Sequence, residues 1–468
     1  VLLLRSRVAA CLSPLIACLP ITPAAAQDTD DVAVGSGDIV VLGTRSTVDR
    51  TQSSDRVTER MSQSSRSIER DILDAAGTYR LSDALELVSG FSQQNNRGGV
   101  IDNFAVRGFL GTPDGGAEYY LNGFLANRGM APPRDPATTE RIEVLKGPAG
   151  ALFGDVDPGG RVNIVTKVPR FTPHANAMVS YGSFNTRRVE LDATGPLSRT
   201  LAARIVVAGE DSDGWRDTVT LRRRVVSPSL TWQPSQALRL TYTGEFSQFD
   251  TPFDRGIPAI NGDANALPLS NYYGEPSNGI TKSRNNQHQI TGLAELGGGW
   301  TLTNRFRFAD NSGSFQSPFP ASAGAAQDIA NGIGGAGSSI VFATGPNAGQ
   351  AANAANIGGN GLLTNVVVFN TRLNSLDNVT NDFRVNKAFD IGGGTANFTT
   401  GFYMSRQTID TDWLWTSHVQ TVQGDGQAVL LALLADGRAH GFFQRWAVDA
   451  LFFLLRFQAR LLFSMPWR

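Results

Sequence analysis

Residues 140–167, ERIEVLKGPAGALFGDVDPGGRVNIVTK, constrain this chain more than any other stretch, because two strand signals and several turn signals fall within one short run. Arg141, Ile142, Glu143, Val144 and Leu145 alternate polar with apolar, and residues 161–166 do the same, so each half predicts a strand with one wet face. Between them the chain must reverse. Gly147-Pro148 fixes a turn, a short helical turn follows, Gly154 and the pair Gly159-Gly160 admit positive φ, and Pro158 presets the corner before the second strand.

Composition narrows the partners. A net charge of -1 over 468 residues excludes nucleic acid as the main partner, since neutralising phosphates demands a basic surplus. Histidines 174, 288, 418 and 440 share no ligand spacing, so no zinc site is read. Both cysteines, Cys11 and Cys18, lie in the N-terminal apolar segment, which leaves the rest of the chain free of thiols and suits an oxidising compartment. Residues 1–26 read as a secretory signal: Arg5 and Arg7 form a basic region, residues 8–19 an apolar core too short to span a bilayer, and Ala24-Ala25-Ala26 a cleavage site. The competing reading is lipid attachment at Cys18, after Leu15-Ile16-Ala17. A start at Val1 instead of Met points to an alternative start or a few missing residues.

The 140–167 stretch resembles the plug-domain signature of TonB-dependent outer-membrane receptors, in particular the siderophore receptors. There an ERIEVLRGP-like segment precedes a YG…PGG…N…T run; here Lys146 replaces the usual arginine and Phe153 the usual tyrosine. Residues 104–109 resemble the family's RGF strand, and residues 119–123 its YLDG hairpin, with Asn122 in place of aspartate. Leu81, Ala84, Leu85 and Val88 recur at helical spacing, which predicts a short helix with Ser82 as N-cap and Gly90 as its end. The resemblance implies an α+β plug over residues 59–170, inside the lumen of a barrel that has 22 strands in complete plugged transporters. Glycine-rich loops 93–99, 111–116 and 126–133 correspond to apical loops that touch ligand in related receptors. On that resemblance Arg97, Asp114, Asn127, Arg128 and Met130 are candidate ligand contacts, with solvated turns as the competing reading. Arg107, Arg141, Glu143 and Lys146 are candidate contacts between plug and barrel, reaching wall charges such as Glu190, Arg239 or Glu245.

Residues 27–58 are polar and serine-rich and are expected to be flexible. Within them Asp38, Ile39, Val40, Val41, Leu42 and Gly43 form a β-prone island suited to strand addition. The island resembles the TonB box, the segment through which these receptors contact the inner-membrane TonB energy transducer; a first plug strand is the plainer alternative. The interval between cleavage site and box leaves no room for a signalling extension.

Residues 171–427 repeat one texture: Val189, Leu191 and Ala193 interleave with Arg188, Glu190 and Asp192, and Leu240, Tyr242 and Phe246 with Thr241, Thr243 and Glu245. This is the alternation of strands with lipid outside and a wet lumen inside, so the predicted fold is a membrane β-barrel, of which about half is present. Turns at Gly195-Pro196 and at residues 233–235 suit the periplasmic side, whereas the long stretches 250–286 and 311–360 read as extracellular loops, the first carrying Tyr272 and Tyr273. About ten strands are recognisable before residue 415, too few to enclose a plug. From residue 428 the alternation stops. The tail 428–468 is expected to supply no strands and to reflect a truncation or a frame change, which would leave the chain unable to transport; an amphipathic helix on a membrane surface is the alternative.

The resemblance implies a monomeric receptor in the outer membrane of a Gram-negative bacterium that imports ferric siderophores when energised by TonB, contacts outer-membrane lipid, holds no resident cofactor and is not an enzyme. Alternatives are receptors for cobalamin, haem or an oligosaccharide, an outer-membrane hydrolase, or a porin. No G-x-S-x-G elbow supports a hydrolase. If residues 38–43 dock by strand addition, Val40→Pro removes an amide donor and fixes φ; uptake should fail while ligand binding survives, and unchanged uptake would remove the box assignment.

Overall fold

The computed structural model describes residues 65–96, 98–110, 117–126, 133–147, 158–260, 262–263, 265–273, 280–342, 346–347, 349–357, 361–391, 394–422, 430–434 and 442–462. The N-terminal part comprises β1 (Ser65–Glu69), α1 (Arg70–Ala75), α2 (Leu81–Glu86), β2 (Phe91–Gln93), β3 (Phe104–Val106), β4 (Phe109–Leu110), β5 (Tyr120–Leu121), β6 (Phe124–Leu125), a 3-10 turn (Pro136–Thr138), β7 (Thr139–Lys146) and β8 (Gly160–Thr166). One sheet runs in the order β1-β7-β8-β5-β6, with β5 parallel to β8 and the other pairs antiparallel; β2, β3 and β4 form a second. Ile142 faces Ile164 and Val144 faces Val162 across β7 and β8, and these residues share a core with Ile68, Leu73, Leu85 and Phe104.

The two strands of the signature are present, but neither has the expected wet face. Every residue of β8 is buried, Arg161 and Asn163 included: Arg161 lies over the Tyr120 ring and donates to the Gly123 carbonyl, and Asn163 donates to Glu143. Helix α2 begins two residues earlier than a Ser82 cap would place it. Arg80 is its N-cap, and the Asp83 carboxylate accepts the backbone N–H of Arg80 at 2.9 Å and of Tyr79 at 3.2 Å, so Ser82 is not the cap. Gly90 (φ +87) lies beyond the helix end. Residues 148–157, including Pro148 and Gly154, lie outside the described residues.

The large sheet comprises β9 (His174–Gly182), β10 (Thr186–Pro196), β11 (Leu201–Asp213), β12 (Thr220–Ser235), β13 (Leu238–Pro252), β14 (Ile280–Gly297), β15 (Trp300–Ala325), β16 (Ser339–Phe342), β17 (Leu362–Ile391), β18 (Gly394–Thr421), β19 (Leu430–Leu434) and β20 (Phe442–Leu462), with α3 (Ala326–Gly334) between β15 and β16. From β9 to β15, and on through β17 and β18, each strand is antiparallel to the next. Among the described residues no strand joins β9 to the opposite edge, so the sheet is not closed. Its two faces are inverted relative to a soluble protein. Leu230, Trp232, Leu240, Phe246, Ile290 and Phe306 are exposed, while Thr231, Thr241, Glu245, Gln289 and Arg305 between or across from them are buried.

The two loop expectations and the expectation for the tail are corrected, whereas Tyr272 and Tyr273 take the bracing role that is common for loop aromatics. β15, paired with β17, carries the ladder to Ala325, well into the expected loop 311–360, and β13 and β14 take residues from both ends of 250–286, because antiparallel pairing satisfies backbone groups that a free loop would leave to solvent. Tyr272 and Tyr273 are buried loop braces, donating their hydroxyls to the carbonyls of Phe253 and Pro268. The tail does supply strands. β20 pairs with β18 from Thr395↔Leu462 to Trp415↔Phe442, for an unpaired ladder edge accepts any extended segment rich in β-formers such as Phe, Trp and Val, whatever its periodicity.

Gly159 is where the second strand meets β3: a Cβ there would stand 2.2 Å from the Val106 carbonyl oxygen. Gly159→Ala must therefore displace backbone and should destabilise the plug by about 1–3 kcal/mol. An unchanged denaturation midpoint would refute this packing.

Candidate functional site

The segment 133–138 joins plug to wall. Asp135 caps the 3-10 turn by accepting the Ala137 N–H at 2.9 Å, and Pro136 at the first turn position needs no partner for a missing N–H. That turn aims two adjacent charges outward. Arg134 donates to both Glu245 oxygens on β13, at 2.8 and 2.5 Å, while Thr138 donates to the same carboxylate at 3.1 Å. Asp135 accepts from Arg188 of β10 at 2.7 and 3.0 Å and lies 3.0 Å from Arg223 of β12. Glu210 of β11 then bridges the two wall arginines at 2.9 and 2.6 Å. The Arg188 side chain is fully buried, and both Arg134 and Glu245 are below 10% exposed.

Two further contacts flank this clasp. Lys167, just after β8, bonds Asp192 at 2.8 Å, and Arg204 holds that carboxylate from the other side with two bonds of 2.7 Å. At the β5–β6 hairpin, Asn122 (φ +49) makes side-chain bonds with Thr166, while Arg305 donates to the Asn122 carbonyl and Arg307 to that of Leu125. Gly123 (φ +89) leaves room for this approach, since a Cβ there would meet the Arg305 guanidinium at 2.7 Å.

Burial sets the electrostatics. Asp102 accepts the Arg134 backbone N–H at 2.9 Å, yet burial pushes its carboxyl up to about 6, against that hydrogen bond and the charges of Arg223 and Arg134. Burial opposes ionisation of Asp135 as well, but there Arg223 and Arg188 prevail and hold it at about 2. The Lys167 ammonium is lowered by burial despite its bond to Asp192.

Of the expected site residues, Arg97, Asp114, Asn127, Arg128 and Met130, and all of 38–43, lie outside the described residues. The expected plug-to-wall contacts go elsewhere. Arg141 pairs with Glu143 at 2.9 Å, Glu143 also accepts from Asn163, and Lys146 donates to Ser89, all within the plug, because neighbours on the same sheet lie closer than the wall. Arg107 (φ +51) is exposed, its backbone N–H donating to the Gly90 carbonyl. Glu245 is indeed a wall partner, but of Arg134; Glu190 bonds Arg188, and Arg239 bonds Gln233 on its own sheet. Arg134 and Asp135 were missed because they lie between the loop 126–133 and the signature that begins at Glu140, in a stretch without strand or helix periodicity. The Asp-Pro pair at 135–136, an N-cap followed by a first-turn proline, is the signal that marks them.

The family model described as the TonB-dependent Receptor Plug Domain matches residues 58–161. The metal-pseudopaline receptor CntO of Pseudomonas aeruginosa is 35% identical over 237 residues, covering 50% of this chain and 33% of that receptor. The catecholate siderophore receptor Fiu of Escherichia coli K12 is 33% identical over 199 residues, covering 41% of this chain and 25% of that receptor. The matches thus span a third or less of these curated relatives. Among solved structures, Fiu in its open form superposes with a TM-score of 0.53 at 18% identity, over 86% of this chain and 68% of that one. FpvA of P. aeruginosa bound to a heterologous pyoverdine gives 0.60 at 14% identity, over 86% and 53%. At these identities the structural likeness is one of fold.

Two outcomes follow from the clasp. Glu245→Ala leaves the Arg134 guanidinium buried without its carboxylate and should cost about 3–5 kcal/mol, well above Glu143→Ala, because the Glu143 carboxylate is 24% exposed against 8% for Glu245 and its ion pair is already within reach of water; equal losses in denaturant titrations would refute the assignment. Because the Asp102 carboxyl is raised, the native state holds a proton there that the unfolded chain releases, a contribution complete below 3.8 and lost as pH rises through about 6. Asp102→Asn should therefore match wild-type Tm near pH 4 and exceed it at pH 7.5; a difference independent of pH would contradict this.

Proposed function

We propose, from the premise that the chain belongs to the TonB-dependent receptors, that it takes part in energised import of ferric siderophores. Its place is the outer membrane of a Gram-negative bacterium. The observation that carries the reading is the buried clasp of Arg134 and Asp135 on Glu245, Arg188 and Arg223. A domain held in a lumen by several desolvated ion pairs does not leave by thermal motion, so passage requires work from outside, and a passive porin has no use for such a plug. TonB, docking on residues 38–43, is the source of that work in this reading. The cargo arrives as a chelate and is recognised by shape and hydrogen bonds, and no covalent step is needed.

A second reading, import of a metal chelated by pseudopaline, is favoured by the 35% identity to a receptor named for metal-pseudopaline. Radiometal uptake by cells expressing the full-length receptor, with ferric catecholates, ferric hydroxamates and metal-loaded pseudopaline, separates the two. Saturable uptake of at least one ferric siderophore, abolished by a TonB deletion, is expected. Uptake of cobalamin alone, or uptake indifferent to TonB, would sink the proposal.

A further inference from the structure

On the face of the sheet that turns away from the plug, three cations surround a hollow of about 530 Å³: Lys282 and Arg284 on β14 and Arg372 on β17, with Asp250, Ser312 and Ser314 among its walls. Register fixes the face. Glu245 and Gln289 meet the plug, and Phe249 packs with Val100 of the plug, so their side is lumenal. Asp250 stands opposite Lys282, Lys282 opposite Ser314, and Ser314 opposite Arg372, each one residue from a buried position of the lumenal face (Phe249, Ser283, Phe315 and Thr371 in turn), so all four point outward. The hollow also has a definite height. Toward the short turns the outward positions are the exposed Phe246, Ile290, Phe306 and Phe308, an apolar belt. Toward the long connection between β13 and β14 the belt gives way, within about two to six residues along each strand and past the facing pair Asn286 and Asp310, to Gln248 and Asp250, Arg284 and Lys282, and Ser312 and Ser314. Arg224 of β12, facing Gln248, extends the basic side.

Among the described residues Lys282, Arg284 and Arg372 form no ion pair, although Asp250 lies directly across from Lys282. Unpaired cations gathered at the boundary between hydrocarbon and headgroups attract anionic lipid. We propose that this hollow holds the phosphorylated headgroup of an outer-leaflet lipid, whose acyl chains lie along Phe246, Phe308 and Ile290. Transported cargo is excluded as occupant because the sheet itself separates the hollow from the lumen. A free anion does not use the apolar belt that continues below the cations, whereas an amphiphile uses both.

The test places the full-length receptor in phosphatidylcholine nanodiscs carrying bisphosphorylated lipid A or its fully dephosphorylated form, followed by detergent exchange and native mass spectrometry. Wild type should retain the phosphorylated form and release the other. Replacing the three cations together, Lys282→Gln, Arg284→Gln and Arg372→Gln, should lower retention at least about tenfold. Asp250→Asn, which removes a carboxylate and leaves every cation, should raise retention, an outcome that misfolding does not mimic. Equal retention by the triple variant, equal retention of the dephosphorylated lipid, no gain in Asp250→Asn, or displacement by millimolar inorganic phosphate alone would each overturn the lipid assignment.

Discussion

A guanidinium or carboxylate withdrawn from water costs several kcal/mol unless opposite charge and hydrogen bonds replace its solvation. The interior of this sheet obeys that constraint at Asp135, where Arg188 and Arg223 converge on one carboxylate and Glu210 closes the ring between them. The rest of the plug is positioned by it. The turn that presents Asp135 runs directly into β7, β7 carries β8, and β8 carries the hairpin that reaches Arg305. A shift of this sheet by one residue would exchange its apolar and polar faces and strand the charges without partners.

The large sheet inverts the ordinary order of burial for the same reason. Lipid cannot satisfy a polar group, so along the belt below the outward cations the exposed positions of β12 to β15 include Leu230, Trp232, Leu240, Phe246, Ile290 and Phe306, and the lumen takes the Thr, Gln, Arg and Glu that alternate with them. Arg305 illustrates how tightly this is arranged: it serves Asp382 on the next wall strand and the Asn122 carbonyl of the plug at once.

Much of this was legible before any coordinates. The period-two pattern placed the wall strands, and the glycines of 140–167 placed the reversal between β7 and β8. What was not legible was which charge meets which. Arg141 and Glu143 were expected to reach the wall because they lie on a polar stripe, but their separation of two residues on one strand makes each the other's nearest partner. The true contacts join positions 53 and 111 apart in sequence, Asp135 with Arg188 and Arg134 with Glu245, and no local pattern encodes such a distance. The tail was misread for a different reason: its strand is selected by the waiting edge of β18 and not by its own alternation.

Beyond the clasp, several wall arginines address the plug through its main chain: Arg204 through Val168, Arg223 through Tyr79, Arg305 through Asn122 and Arg307 through Leu125. A carbonyl oxygen is the same for every amino acid. At those points, apart from the Asn122-Gly123 turn where Arg305 needs the space a Cβ would fill, the wall measures where the plug's backbone runs and not what it is made of, so such a plug is free to drift in sequence while its loop lengths stay fixed. A single inserted residue upstream of any of these carbonyls would do what many substitutions would not.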